Sequence, residues 1–272
     1  MRLSNTQPPC GTPLNKSHPL SQGLVGCWLF NEGGGQKAFE ASGYLPTPMT
    51  LSAGAVFQNS AKGSCVTFNG TSSFCMSTEN SNLRLTRSGT IIAWINIGTS
   101  PVTYGNICFK RTAGNPAGLS YGVDMDAGGN KIRGLISNGS LFNLITGSTS
   151  LSSNVWYHIA FTWDGANLNC YLNGVIDATP VAQVLDAQSV STQLMTIGCA
   201  IDVANFYFKG LINSVFIYNR GLSYSEVRRH YTNSYQMFNG YIEFKKLDSS
   251  VKYSKFNNSG VRPRPFAPGH AR

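Results

Sequence analysis

The chain has 272 residues, of which 42% are hydrophobic and 12% are charged, enough to bury one substantial core with extensions around it. No stretch approaches the roughly 18 consecutive apolar residues of a membrane-spanning helix, so the sequence excludes one. The first twenty residues lack the continuous apolar core of a signal peptide, and we therefore expect the protein to fold where it is made.

Positive charge is concentrated near the C-terminus. Residues 1–219 carry 11 basic and 9 acidic side chains, whereas residues 220–272 carry 10 basic and 3 acidic ones, which gives +2 and +7 of the total +9. A basic segment of this kind is typical of contact with an acidic partner surface or with nucleic acid. The alternative is a solvated end that contacts nothing.

The seven cysteines lack the spacing of a metal or redox site. No two lie closer than ten positions, which rules out the C-x-x-C pattern, and their number is odd. Several fall inside alternating apolar segments, where cysteine acts as a small core residue. We expect reduced, buried thiols at Cys10, Cys27, Cys65, Cys75, Cys108, Cys170 and Cys199.

Short strand-like segments separated by turns fill the middle of the chain. Residues 1–21 are rich in Pro, Asn, Ser and Thr, have no periodicity, and are predicted to form an extended arm. From Gln22 onward, segments of four to nine residues end at Gly, Asn, Ser or Pro, as in SCVTFNG, GTIIAWINIG, NICFKR, LSYGVDMD and KIRGLIS. This spacing favours an antiparallel sandwich over alternating strands and helices.

The clearest pattern lies in VWYHIAFTWDGANLNCYLNGV, residues 155–175. Every second residue from Val155 to Trp163 is apolar, which predicts a strand with one buried face. Asp164-Gly165 and Asn173-Gly174 have the composition of tight turns. We therefore predict a three-stranded meander in which Trp163 is buried and both turns are exposed.

One helix is predicted, in LSYSEVRRHYTNSY near the C-terminus. Ser223 and Glu226 have the spacing of a capping box, in which each side chain satisfies a backbone donor at the helix start. Val227, Tyr231 and Tyr235 repeat every four residues and form an apolar stripe that can lie against the sandwich. Residues 236–272 are predicted to be an extended basic tail, in which three prolines favour a polyproline-like backbone.

Five segments follow one another in a recognisable order: GLVGCWLFNEGGG, VTFNGTSSF, GTIIAWINIG, WYHIAFTWDGANLNCYLNGV and FKGLINSVFIYNRGLSYSEVRRHY. This order resembles a laminin-G-like domain of the concanavalin A-like lectin/glucanase superfamily, of the kind found in phage structural proteins. The resemblance covers residues 22–235, and its most specific parts are the meander and the ending from Gly210 to Glu226. It implies an all-β jelly-roll sandwich of two antiparallel sheets with one short C-terminal helix, flanked by residues 1–21 and 236–272 as extended arms.

The sequence offers little for catalysis. Related glycanases of this fold carry their carboxylates in an E-x-D-x-x-E strand, which this chain lacks. The one close pair, Asp124 and Asp126, is predicted to end a strand before a hairpin turn, with calcium binding or catalysis as the alternatives. His158 is predicted to pack with a hydrogen bond, because no second histidine shares its segment. We therefore predict a protein that is not an enzyme, with no catalytic residues, cofactor or metal site, and with calcium as the one ion that the resemblance leaves open.

Three classes of function compete. The first is a non-enzymatic virion structural protein, a phage capsid decoration or head or tail appendage that displays the domain for attachment to glycans or a host surface. The second is a carbohydrate-binding module of a cell-surface or secreted protein, which would need an export signal. The third is a glycan-cleaving enzyme, which the missing carboxylate pair disfavours. We favour the first, because a virion assembled in the host cytoplasm and released by lysis needs no export signal.

The virion hypothesis predicts partners among the other virion proteins, such as the major capsid or a tail protein, and homo-oligomeric assembly. Surface glycans are a further expected ligand, whereas a membrane and specific nucleic acid are not. Residues 236–272 have a charge balance of +5. We predict that they anchor the domain to an acidic partner surface, with Arg262, Arg264 and Phe266 at the contact.

Overall fold

The computed structural model describes residues 6–99, 104–111, 118–187, 194–200 and 206–238. The strands in these ranges are, in chain order, β1 (Leu24–Trp28), β2 (Lys37–Ala38), β3 (Met49–Leu51), β4 (Val56–Ser60), β5 (Gly63–Asn69), β6 (Cys75–Met76), β7 (Gly89–Ile97), β8 (Asn106–Arg111), β9 (Leu119–Met125), β10 (Ile132–Ser137), β11 (Phe142–Thr146), β12 (Trp156–Trp163), β13 (Asn167–Leu172), β14 (Val175–Ile176), β15 (Val181–Ala182), β16 (Leu194–Ile197) and β17 (Lys209–Tyr218). The helix α1 spans Tyr224–Thr232, and 3-10 turns lie at Pro19–Ser21 and Ser81–Leu83. None of these described helices is long and apolar enough to cross a membrane.

The strands form two antiparallel sheets. Sheet I has nine strands, in the order β14-β13-β12-β7-β17-β5-β4, with β1 also paired to β17 and β15 to β13. Sheet II has eight strands, in the order β11-β10-β9-β8-β16-β6-β3-β2. The predicted fold class, a jelly-roll sandwich of two antiparallel sheets with one short C-terminal helix, is confirmed.

The main core lies between the two sheets and is filled by alternate residues of their strands. Trp163 of β12 is fully buried there, as predicted. Its ring stacks on Phe161 at 5.3 Å between centroids, and its Nε1 donates a hydrogen bond to the Thr86 carbonyl at 3.1 Å. A buried indole N–H therefore has an acceptor, which removes the penalty of desolvating it.

The seven cysteines are free thiols. Six of them are buried, as expected, whereas Cys10 is exposed. Burial raises the pKa of the Cys170 thiol to about 12, and the Asp177 carboxylate nearby acts in the same direction. A thiol of this kind stays protonated at neutral pH and serves as a packing residue.

The central strands of sheet I, β7, β12 and β17, are buried on both faces, whereas the sequence predicted one buried face for β12. His158, Ala160 and Thr162 point away from the main core, yet all three are buried. A second apolar cluster lies on this outer face and joins residues of the sheet to residues of the segments that cover it: Leu20, Leu24, Cys27, Leu29, Ile92, Ala160, Tyr171, Phe216, Tyr218, Leu222, Val227, Tyr235, Met237 and Phe238. The cover is supplied by Val227 of α1, by residues that precede and follow the helix in the chain, and by Leu20 of the N-terminal segment.

The turn at Asn173-Gly174 corrects another expectation, because Gly174 is buried rather than exposed. Helix α1 passes over this turn, and a Cβ atom at Gly174 would lie 2.9 Å from Cβ of Tyr231. Both turn residues have positive φ, 50° at Asn173 and 76° at Gly174. Glycine is therefore required here twice over, by its backbone conformation and by the close approach of the helix. Asp164 of the other turn is exposed, as predicted.

Helix α1 begins with the predicted capping box. The Ser223 hydroxyl accepts from the Glu226 backbone N–H, and the Glu226 carboxylate accepts from the Ser223 backbone N–H. The buried side chains of the helix are Val227 and His230, three residues apart, whereas Tyr231 of the predicted stripe is half-buried. The sequence thus predicted the position of the helix but not the histidine in its contact face.

His230 meets His158 of β12 beneath the helix. Nε2 of His158 and Nδ1 of His230 are 3.2 Å apart, a hydrogen-bond distance. Both side chains are fully buried, and the outer ring nitrogen of each has no hydrogen-bond partner among the described residues. Burial lowers the pKa of His230 to about 3 and that of His158 well below its usual value. The pair is therefore neutral in the folded protein.

We expect this pair to make the domain less stable in mild acid. Histidine in an unfolded chain has a pKa of about 6.5, so the stability is fully present above that pH and falls as the pH drops below it. The loss approaches about 1.4 kcal/mol per pH unit for each histidine. Urea unfolding of the wild type and of a His158→Gln/His230→Gln variant, at pH 7.5 and 5.0, measures the effect.

The variant should lose a smaller part of its unfolding free energy between the two pH values than the wild type. Every other titratable group is common to both proteins, so the difference isolates the two histidines. Equal losses would contradict the prediction.

Candidate functional site

A cavity of about 210 Å³ lies on the outer face of sheet II, the face turned away from the main core. The residues that line it are Tyr104, Asn106, Phe109, Arg111, Leu119, Asp124, Arg133, Leu135, Phe142, Leu144 and Phe206. Most are apolar or aromatic, and four carry polar side chains. A largely apolar lining with a few convergent polar groups is typical of small-molecule sites.

Strand register brings the floor of the cavity together in two cross-strand rows. In the polar row, Asn106 of β8 lies opposite Asp124 of β9, which lies opposite Arg133 of β10. In the apolar row, Phe109 lies opposite Gly122, and Gly122 lies opposite Leu135. The alternate residues of the same strands, such as Val123, point into the main core. Because successive side chains of a strand point to opposite faces of the sheet, the floor residues lie together on the outer face.

Gly122 leaves room for the aromatic part of the floor. A Cβ atom at this position would lie 2.6 Å from a ring carbon of Phe109. The ring therefore lies across the glycine, where it packs with Leu119 and Leu135 in a small cluster separate from the main core. Phe109 and Leu135 are 2% and 5% exposed, so the floor is firmly packed.

Asp124 and Arg133 form the polar centre of the floor. Nε of Arg133 donates to Oδ1 of Asp124 at 2.9 Å, and Nη2 donates to Oδ2 at 2.5 Å. The Asp124 side chain is 3% exposed and that of Arg133 is 22% exposed. A bidentate pair of this geometry fixes both groups relative to the sheet. The arginine reaches the surface of the cavity while the carboxylate lies deeper.

Aromatic side chains stand on one side of this pair. The Arg133 guanidinium lies over the Tyr104 ring, 4.7 Å from its centroid, and Tyr104 meets Phe206 edge to face at 5.4 Å. The backbone N–H and the Nδ2 of Asn106 both donate to the Phe206 carbonyl, at 3.0 and 2.9 Å. Asn106 thus ties a segment a hundred positions away in the chain to the edge of the floor.

The opposite side of the cavity is formed by β11, the edge strand of sheet II. Phe142 and Leu144 are 40% and 43% exposed, although both are large apolar side chains. Leu141 and Val184, next to this strand, are 65% and 78% exposed. Exposed apolar groups grouped beside a polar centre are a common mark of a contact surface.

Burial dominates the electrostatics of the centre. It raises the pKa of Asp124 to about 6, although the hydrogen bonds and the charge of Arg133 act in the opposite direction. Asp126 raises this pKa further, and Arg111 lowers it. Asp124 is therefore ionised at pH 7 and becomes protonated in mild acid. The floor can offer hydrogen-bond acceptors on Asp124 and donors on Arg133, between walls that suit an apolar surface.

The structure separates the two aspartates that the sequence grouped. Asp126 follows β9, and its Oδ1 accepts from the backbone N–H groups of Asn130 and Lys131, both at 3.0 Å. It therefore shapes the β9–β10 hairpin, as predicted for a turn residue. Asp124 instead lines the cavity. Across the described ranges, no group of three or more His, Cys, Asp or Glu side chains is arranged to hold a metal ion.

The predicted partner contacts, Arg262, Arg264 and Phe266, lie outside the described residues, as does the rest of 239–272. Sequence reasoning missed the residues that make the cavity, above all Arg133, Tyr104 and Phe142. A signal was present for Arg133, because it alternates with the apolar residues of IRGLIS and so belongs on an outer face. Tyr104 and Phe206 lie between strands and follow no periodicity that could have indicated them.

A family model described as the concanavalin A-like lectin/glucanases superfamily, in its laminin-G branch, matches residues 69–228. This match covers more than half of the chain, which therefore belongs to that family. Among curated proteins, no sequence matches the chain. The laminin-G-like resemblance that the sequence predicted is thereby confirmed.

Solved structures show the same fold at low sequence identity. Domain 4 of an extracellular arabinanase from Geobacillus stearothermophilus, solved with arabinotriose, has a TM-score of 0.58 and 18% identity, over 76% of this chain and 97% of that one. The binding domain of Paraclostridial Mosquitocidal Protein 1 has a TM-score of 0.61 and 18% identity, over 79% of this chain and 53% of that one. Trypanosoma rangeli sialidase, solved with sialic acid, has a TM-score of 0.56 and 16% identity, over 80% of this chain and 34% of that one.

Removal of Arg133 should destabilise the domain through Asp124. The Arg133→Met variant leaves a buried carboxylate without its partner, and we expect a loss of about 3 kcal/mol in the unfolding free energy at pH 7.5. The loss should shrink at pH 5.0, where Asp124 is protonated. Urea unfolding at both pH values measures it.

Arg84→Met is the matched control, because Arg84 forms a similar pair with Glu79 at 2.9 Å whose side chains are more exposed, at 34% and 24%. This control should lose less than about 1 kcal/mol. Equal losses in the two variants would mean that burial of Asp124 does not set the effect.

Proposed function

We propose that this domain binds carbohydrate in the cavity on sheet II. The observation that carries the proposal is the placement of aromatic side chains on both sides of the Asp124–Arg133 pair. A sugar ring has an apolar C–H face, which can pack on Tyr104 or Phe142, and hydroxyl groups at its edge, which can pair with the carboxylate and the guanidinium. The cavity offers both kinds of contact at once.

The comparisons support this proposal at the level of the fold. The family to which the chain belongs is described by its lectins and glucanases. One structural neighbour is an arabinanase domain with arabinotriose bound, and another is a toxin binding domain. Since fold alone does not fix function, the main support for the proposal is the arrangement of residues in the cavity.

We further propose that binding occurs without cleavage. Glycoside hydrolysis needs two carboxyl groups about 5–10 Å apart, one on each side of the scissile bond. Asp124 is the one carboxylate among the described residues that line the cavity, and both of its oxygens accept from Arg133. Asp126, the nearest candidate for a second, accepts from the backbone of its own turn.

A Phe142→Ala variant should bind carbohydrate about tenfold more weakly than the wild type. An aromatic contact contributes up to about 1.5 kcal/mol, which corresponds to about tenfold in affinity. A glycan array and immobilised polysaccharides first identify a ligand of the wild type, and calorimetric titration then compares the variants. Because Phe142 is 40% exposed, its removal should leave the fold intact.

Phe39→Ala is the matched control, since Phe39 is 57% exposed and does not line the cavity. Equal weakening by both variants would speak against the cavity as the binding site. The same polysaccharides should release no reducing ends during incubation with the protein. Release that disappears in an Asp124→Asn variant would show that the domain is an enzyme.

For the setting of this binding, we propose a virion, in which the domain attaches a phage particle to glycans on its host. Support comes from the sequence, in which residues 236–272 have a charge balance of +5, a balance typical of contact with an acidic surface. The alternative setting is a carbohydrate-binding module of a cell-surface or secreted protein.

The structure defines where the C-terminal segment can be removed. Met237 and Phe238 are buried in the second apolar cluster, and Phe238 forms a β-bridge with Leu14. Truncation after Phe238 should therefore give a folded domain that no longer joins the particle. Copy number on particles, measured against the full chain, tests this.

An Arg262→Ala/Arg264→Ala/Phe266→Ala variant of the full chain is the companion, and we expect it to show the same loss. If the truncated protein reaches the wild-type copy number on particles, these residues are not the anchor. Unfolding measurements on the truncated protein must first show wild-type stability.

A further inference from the structure

We infer that the cavity selects neutral sugars with two adjacent hydroxyl groups and rejects acidic sugars, because Asp124 and Arg133 face the ligand as one charge-neutral pair. The inference rests on the proposed carbohydrate binding and names the class of sugar. It follows from how the pair divides its hydrogen bonds. Arg133 donates Nε and Nη2 to the carboxylate, and its Nη1 has no acceptor among the described residues.

The pair thus offers a donor on Arg133, at the surface of the cavity, and an acceptor on Asp124, which lies deeper. Nη1 of Arg133 can donate a hydrogen bond to one oxygen of a ligand, while the remaining lone pairs of the Asp124 carboxylate can accept a hydrogen bond from another. A hydroxyl group both donates and accepts, so two neighbouring hydroxyl groups satisfy both partners. The carboxylate of an acidic sugar can only accept, and it would bring a second negative charge close to Asp124.

The two further charged groups near the pair carry opposite charges, Arg111 in the lining of the cavity and Asp126 in the hairpin. The charged groups that act on Asp124 are Arg133 of β10, Arg111 of β8 and Asp126 of the hairpin. Arg111 is 4% exposed and has interaction partners within the chain. Asp126 repels an acidic ligand as Asp124 does. Tyr104 faces Arg133 through its ring, 4.7 Å from the guanidinium carbon.

Protonation of Asp124 should reverse the preference. The pKa of this carboxyl group is raised to about 6 by burial, so the group is ionised at pH 7.5 and protonated at pH 5.0. In acid the pair loses its negative charge, and Arg133 is left with its full positive charge. Affinity for a neutral sugar should then fall as the pH drops through about 6, while affinity for an acidic sugar should rise.

The experiment uses the full chain and matched sugars that differ in one carboxylate. The probes are methyl galactoside against methyl galacturonide, methyl glucoside against methyl glucuronide, and lactose against sialyllactose. Calorimetric titrations at pH 7.5 and 5.0 give the affinity ratio within each pair. For the pair that binds, we expect the neutral sugar to bind at least tenfold more tightly at pH 7.5, and this ratio to shrink at least tenfold at pH 5.0.

Asp124→Asn removes the charge but keeps an oxygen acceptor. The ratio of its affinity for the neutral sugar to its affinity for the acidic sugar should therefore be low and independent of pH. Asp126→Asn is the matched control and should keep the wild-type pH dependence, because an asparagine oxygen can still accept from the hairpin N–H groups. If Asp124→Asn fails to fold, the two pH profiles of the wild type decide the question alone.

A wild type that binds the acidic sugar more tightly at pH 7.5 would overturn the inference and leave the proposed function standing. So would a neutral-to-acidic ratio that does not change with pH. Absence of binding to every probe and to the glycan array by folded protein would instead overturn the proposed function, and the inference with it.

Discussion

Strand β17 is the central element of sheet I, because it pairs with three other strands and changes its partner along one edge halfway along its length. Lys209–Ile212 pair with β5, Val215–Tyr218 pair with β1, and β7 pairs along the other edge on both sides of the change. Asn213 lies at the register shift, where its Nδ2 donates to the Ser64 carbonyl at 2.7 Å. A break in a central ladder would leave buried backbone groups without partners, so it needs such a side chain to fill it.

The same junction ties both ends of the domain to sheet I. The Gln7 side chain donates to the Ser64 carbonyl at 3.1 Å and accepts from the Ser64 N–H at 2.9 Å, so a residue of the N-terminal segment takes the place of a strand. Tyr235 donates its hydroxyl to Oδ1 of Asn213 at 2.6 Å and brings the segment after α1 to the same point. The cover on the outer face of sheet I is thus fixed by polar contacts as well as by apolar packing.

The two sheets differ in what lies on their outer faces. The outer face of sheet I is covered by helix α1 and by the segments near Leu20 and Phe238. On the outer face of sheet II, Phe109, Asp124 and Arg133 meet in the packed floor of the cavity. A site built on strands is more rigid than one built on loops, since its side chains are held by cross-strand register. The Asp124–Arg133 pair has this support from both strands.

The sequence predicted those features that depend on local pattern. Period-two alternation predicted β12 and the burial of Trp163, and the Ser223–Glu226 spacing predicted the start of α1. The site depends instead on register, since Asp124 meets Arg133 through strand pairing that no local pattern encodes. Tyr104 and Phe206 are about a hundred positions apart and come together only in the fold. For the same reason the sequence indicated Asp124 but could not name its partner.

The two buried histidines beneath α1 have a consequence for the proton they share. Either tautomer of the pair places one hydrogen between Nε2 of His158 and Nδ1 of His230. It leaves one outer ring nitrogen unprotonated and the other bearing a hydrogen with no acceptor in the described part of the chain. The docked helix therefore always covers one imidazole N–H that water cannot reach. Its proton resonance would be sheltered from solvent exchange for as long as α1 stays on the sheet, and would vanish when the helix lifts.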